Sequence, residues 1–144
     1  MLLQIVLLSV CGRIPMKGTS MPKILIVDDE FHTRLLLEQI LEDLEDEGVE
    51  LFSADNGETA LEIITREVPE IVFLDVMMPK LSGFDVCSVV KNDLALKGVY
   101  IVLLTVMGQE ADRQKGEAAG ADIYMTKPYN PDVVLETART ILGM

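Results

Sequence analysis

The stretch KILIVDDE, residues 23–30, decides the fold. Ile24, Leu25, Ile26 and Val27 form an apolar run rich in β-branched residues. Asp28, Asp29 and Glu30 follow with no spacer. A run without polar alternation predicts a strand buried on both faces, which is the habit of parallel sheets. Three adjacent acids at its end repel one another, and like charges in contact disfavour ionisation. A positive group is therefore expected beside them.

Similar runs recur downstream, at Val49–Phe52, Ile71–Leu74, Tyr100–Leu104 and Ile123–Met125. Segments of helical spacing separate them. Leu37, Ile40, Leu41 and Leu44 line one face of the first, with Glu38, Glu42, Asp43 and Glu45 on the others. Ala60, Leu61 and Ile64 play that part in the second. Ser82 with Asp85 three residues on has the spacing of a capping box and opens the third. The fourth, Ala111–Ala119, carries Gly116 and many polar residues, so a weaker and more exposed helix is expected. Asn130-Pro131 is an N-cap followed by proline at the first helical position, and it opens the fifth. Five strands alternating with five helices predict a doubly wound α/β domain. It is a flavodoxin-like (βα)5 unit whose five-stranded parallel sheet has the order 2-1-3-4-5.

The bulk properties agree with one such domain. The chain has 144 residues, of which 49% are hydrophobic, so a disordered chain is excluded. Its net charge of −12 argues against nucleic acid and against an anionic membrane surface. Two cysteines, Cys11 and Cys87, have neither metal-ligand spacing nor the density of a disulfide scaffold, which fits a reducing cytoplasm. Residues 1–20 do not share this pattern. Residues 2–11 are about half the length needed to span a bilayer, and Arg13 and Lys17 follow the apolar core instead of preceding it. Three readings stand: an anchor or signal, an extension packed elsewhere, or translation from an upstream start, with Met21 directly before the first strand. The domain is expected to occupy 21–144, with 1–20 as an apolar extension outside the fold.

In doubly wound sheets the site lies at the carboxyl ends of the strands, where the strand order reverses. Here that is between the first and third strands. The first delivers Asp28 and Asp29 and the third ends on Asp75. The fourth ends on Thr105 and the fifth on Lys127. Three carboxylates with few nitrogen donors suit a hard cation, and Mg²⁺ is the usual occupant. A metal on one side of Asp75 and Lys127 on the other would favour phosphoryl transfer, which rests on positioning and charge neutralisation. Asp75 would be the nucleophile, with Thr105 and Lys127 contacting phosphoryl oxygens. Taken singly each residue has a plainer role: a solvated helix start, a turn acid, a strand-end hydroxyl, a surface lysine. Their placement on one edge is what favours the shared role.

Four segments in order, IVDDE (26–30), FLDVMMPKLSGFD (73–85), LLT (103–105) and GADIYMTKPYNP (120–131), resemble the response-regulator receiver domains of two-component signalling. The resemblance covers residues 23–144. It implies that Asp75 is the phosphoacceptor, that Asp29 binds Mg²⁺ directly and Asp28 through metal-bound water, and that the Met77 carbonyl adds a ligand. It implies that Thr105 and Lys127 contact the phosphoryl group. Tyr124 would turn inward when the threonine shifts, and the Lys127–Pro128 bond would be cis. Pro79 and Gly83 match the turn after the third strand and the start of the next helix. A histidine kinase or phosphotransfer protein would supply the phosphoryl group. The face of the fourth helix, fifth strand and fifth helix would bind a target or a second copy. Such a domain phosphorylates and dephosphorylates only itself, so it is not expected to be an enzyme.

One departure stands out: the position after the switch threonine is usually very small in this family, and here it is Val106. With Met77 and Met107 it places apolar bulk near the site, which is expected to slow hydrolysis of the phosphorylated form. It also leaves open an alternative, a phosphorylation-independent binding module. A phosphatase with an aspartate nucleophile would want a second acid at position 77, where Met77 stands. A dinucleotide or flavin binder would want a glycine-rich loop where the acids are. His32 lacks a nucleophile or metal partner and is read as exposed, and Cys87 as a small packing residue.

Overall fold

The computed structural model describes residues 21–106, 110–127 and 130–144. The N-terminal segment 1–20, Met107 and the Lys127–Pro128 bond lie outside the described residues.

The apolar runs become five parallel strands: β1 (Lys23–Val27), β2 (Glu50–Ala54), β3 (Ile71–Asp75), β4 (Tyr100–Thr105) and β5 (Ile123–Thr126). They form one sheet in the order β2-β1-β3-β4-β5, as the sequence predicts. Between and after them run α1 (Phe31–Ile40), α2 (Glu42–Asp46), α3 (Gly57–Glu67), α4 (Gly83–Ser88), α5 (Glu110–Ala119) and α6 (Pro131–Leu142).

Because successive strand residues face opposite sides, each run feeds two cores. Leu25, Val27, Val72, Leu74, Ile101 and Leu103 pack with α3 and α4. Ile24, Ile26, Ile71, Phe73, Val102 and Leu104 pack with Leu37, Leu41 and Leu44 on one side of the sheet and with Val134 and Ala138 of α6. Phe73 is fully buried, so truncating it to alanine would cost about 3–5 kcal/mol.

Two elements depart from the sequence reading. The first helix is broken at Leu41 (φ −90°, ψ 3°) into α1 and α2, although its buried stripe continues through Leu44. The third is extended beyond α4 by a π-helical turn at Val89–Asp93. That turn buries Lys91, whose Nζ donates to the Val99 carbonyl at 2.6 Å and pairs with Asp122 Oδ2 at 2.8 Å. Asp122 Oδ2 in turn accepts from the Ile101 amide. The clamp fastens the starts of β4 and β5, at the opposite end of the sheet from the acids. Cys87 is a buried packing residue, and burial pushes its thiol up to about 11.

The expected caps are present. Ser82 and Asp85 form a reciprocal capping box, and the Asn130 side chain accepts from the Asp132 amide. No helix among the described residues is long and apolar enough to cross a membrane.

Candidate functional site

The site is built at the carboxyl ends of β1 and β3. The register pairs Val27 with Leu74, so the next residues, Asp28 and Asp75, leave the sheet side by side. Both are almost wholly buried, at 1% and 3% exposure, whereas Asp29 is exposed. One carboxylate oxygen from each of Asp28, Asp29 and Asp75 lies within 4.8 Å of the others. A solvated helix start does not bury Asp28 in this way.

Lys127 is the expected positive group. Its Nζ lies 2.9 Å from Asp75 Oδ1 and 3.2 Å from Asp28 Oδ2, and its amide donates to the Thr105 carbonyl. Burial opposes the ammonium, but the hydrogen bond to Asp75 and the charges of Asp75 and Asp28 outweigh it and raise its pKa. Burial lifts the Asp75 carboxyl above its ordinary value. Lys127 offsets only part of that, and the charges of Asp28 and Asp29 add to the rise. Three carboxylates facing one ammonium leave an excess negative charge that a divalent cation would balance. The oxygen donor set suits a hard ion.

The remaining predicted residues take different places. Thr105 is buried at the end of β4, one residue beyond Leu104, which pairs with Asp75. Met77 stands two residues past Asp75 at 68% exposure and Val106 one residue past Thr105 at 56%, so neither side chain is buried over the acids. Tyr124 is not at the acid cluster. It pairs in register with Leu103 and packs into the core shared by α3 and α4, where its hydroxyl is buried without a hydrogen-bond partner. His32 is exposed, its ring edge-on to Phe31.

Gly83 is required by close approach. A Cβ there would stand 2.4 Å from the Asp75 carbonyl oxygen, so only glycine lets α4 begin against the end of β3. Sequence reasoning missed Arg34. Its guanidinium donates to the Asp28 carbonyl at 2.8 Å and lies 5.5 Å from the Phe31 ring centroid, tying α1 to the acidic turn. A cation one turn into the helix that follows three acids was the available signal. Asp28 Oδ1 also accepts from the Glu30 amide at 2.9 Å, which fixes the carboxylate by its own turn.

The response regulator receiver domain model matches residues 24–139. The chain belongs to that family. Residues 1–144 include a segment 42% identical over 120 residues to the probable transcriptional regulator ycf27 of Porphyra purpurea, covering 83% of this chain and 47% of that protein. The match to PhoP of Bacillus subtilis, an alkaline phosphatase synthesis regulator, is 39% over 120 residues, 83% of this chain and 48% of that one. This receiver chain thus spans about half the length of these curated relatives. The CheY4 chemotaxis protein of Vibrio cholerae superposes with a TM-score of 0.75 at 30% identity, covering 85% of this chain and 99% of that one. The BeF3-activated DrrB receiver domain gives 0.75 at 31%, covering 86% and 99%.

Proposed function

We propose that this receiver domain accepts a phosphoryl group on Asp75 in a Mg²⁺-dependent reaction and thereby switches a partner-binding face. The observation that carries the reading is the convergence of Asp28, Asp29 and Asp75 on one point with Lys127 bonded to Asp75. Asp28, Asp29 and Asp75, with the Met77 carbonyl, would hold the ion, which when bound neutralises charge on the phosphoryl oxygens.

The chain's own residues supply the rest. A carboxylate oxygen of Asp75 bonds to phosphorus as the bond from phosphorus to the donor breaks, and the leaving group departs with that electron pair. With a histidine kinase or phosphotransfer protein as donor, the leaving group is an imidazole nitrogen. Lys127 moves from carboxylate to phosphoryl oxygen, and the Thr105 hydroxyl donates to another. Phosphorylation replaces the single charge of the Asp75 carboxylate with a more negative phosphoryl group that draws Lys127 to itself, so the two states differ electrostatically at the ends of β4 and β5. Tyr124 lies on β5 with an unsatisfied buried hydroxyl, which disfavours its inward position by about 1–3 kcal/mol and eases its exchange with another. The coupled surface is α5, β5 and α6, where a target protein or a second copy would bind. The chain in this reading turns over no external metabolite and works in a reducing cytoplasm.

Incubation with Mg²⁺ and acetyl phosphate tests this by intact mass. One labile phosphoryl adduct is expected on the wild type and none on Asp75→Asn. An equal adduct on both proteins, or none on folded wild type, would overturn it.

A further inference from the structure

Apart from the acidic site, a second acidic feature lies along the side of the sheet. β2 is an edge strand, and among the described residues nothing pairs with its outer side. The Glu50 amide donates to the Pro22 carbonyl and the Ala54 carbonyl accepts from the Asp28 amide, so Glu50, Phe52 and Ala54 turn their backbone groups toward β1. Alternation along a parallel strand then points the amides and carbonyls of Leu51 and Ser53 outward. Beside them a groove of about 390 Å³ separates the strand from α1 and α2. It is lined by half-buried Leu51, by Leu35, and by Glu38, Glu42 and Glu45. Among the described residues these three glutamates enter no ion pair.

An open strand edge offers backbone pairing, an apolar strip offers side-chain contact, and a row of carboxylates selects charge. A second copy is a poor occupant, because each chain carries a net charge of −12 and would bring its own glutamates against these. We infer that the outer edge of β2, with the groove between it and α1–α2, docks an extended basic segment of a partner protein as an added strand. The groove's lining includes none of Asp28, Asp29, Asp75, Thr105 and Lys127, so docking there requires no modification of Asp75.

The probe is a synthetic peptide of alternating lysine and valine, titrated into the full chain while amide hydrogen exchange is followed residue by residue. The expected result is slowed exchange at Leu51 and Ser53, an affinity that falls at least tenfold between low and high salt, and loss of binding when the central valine is proline. A peptide with glutamate in place of lysine should not bind. The Glu38→Gln/Glu42→Gln/Glu45→Gln variant should bind the lysine peptide at least tenfold more weakly. Any of four results would overturn the inference: no binding, binding unaffected by the central proline, protection of Leu51 and Ser53 that rises with protein concentration, or protection of both in the free dilute chain. The third would assign the edge to a second copy and the fourth to the chain's own N-terminal residues.

Discussion

At the scale of single residues, the site is a problem in charge balance that the backbone sets and Lys127 solves in part. Asp28 and Asp75 are buried because consecutive positions on two paired strands leave them no other direction. Each of these identities was legible in the sequence, since an acid directly after an apolar run stands at a strand's carboxyl end. What was not legible was the supporting cast. Arg34 reaches back to a backbone carbonyl, and its place one turn into the helix marks a cation near the acids without specifying that partner. Val106 carries a consequence at this scale. Its side chain is 56% exposed, and apolar bulk beside the site would restrict the approach of water to a phosphorylated carboxylate. Val106→Ala should lose its phosphoryl group severalfold faster than wild type, measured by the decay of the adduct after donor removal. An unchanged or slower decay would assign the residue no part in water access.

Among the elements, the helices were less legible than the strands. Apolar periodicity runs unbroken from Leu37 to Leu44, yet the backbone breaks at Leu41, because burial rewards the stripe whether or not the hydrogen-bond ladder is continuous. The π-helical turn after α4 was equally hidden. It is fixed by a buried lysine whose partners, Val99 and Asp122, lie on other elements. Caps read best, since Ser82, Asp85 and Asn130 act within three residues of themselves. α3 ends less comfortably. Its C-cap, Val68, sits in the left-handed region at φ 45° and is exposed, a conformation that a β-branched side chain resists. Val68→Gly should therefore stabilise the protein by about 1 kcal/mol in urea unfolding. A loss of stability would mean that flexibility gained in the unfolded chain outweighs the relief of strain.

For the whole molecule, the fold followed from apolar runs alternating with helical segments, and the strand order from the flavodoxin-like arrangement that suits five such units. The energetic cost of the site is spread over the same fold. A carboxyl whose pKa is raised on folding favours the native state while protonated. Asp75 therefore contributes stability below its ordinary value of 3.8 and loses it as pH rises through the elevated one. At neutral pH and without divalent ions its charge opposes folding. Asp75→Asn should then melt a few degrees higher than wild type at neutral pH, and the gap should close as pH falls toward 3.8. A variant that melts lower at neutral pH would show that the Lys127 ion pair outweighs the burial of the carboxylate and its repulsion from Asp28 and Asp29. Adding Mg²⁺ should raise the wild type more than the variant, by mass action on a site that the variant lacks in part.

In the proposed reaction Asp75 alone becomes phosphorylated. Borohydride reduction after treatment with acetyl phosphate and Mg²⁺ converts an aspartyl phosphate to homoserine, which peptide mapping locates. Homoserine is expected at position 75 alone, and none when Mg²⁺ is withheld. Homoserine at position 28 or 29, or an unmodified position 75 in a protein that carries the adduct, would contradict it.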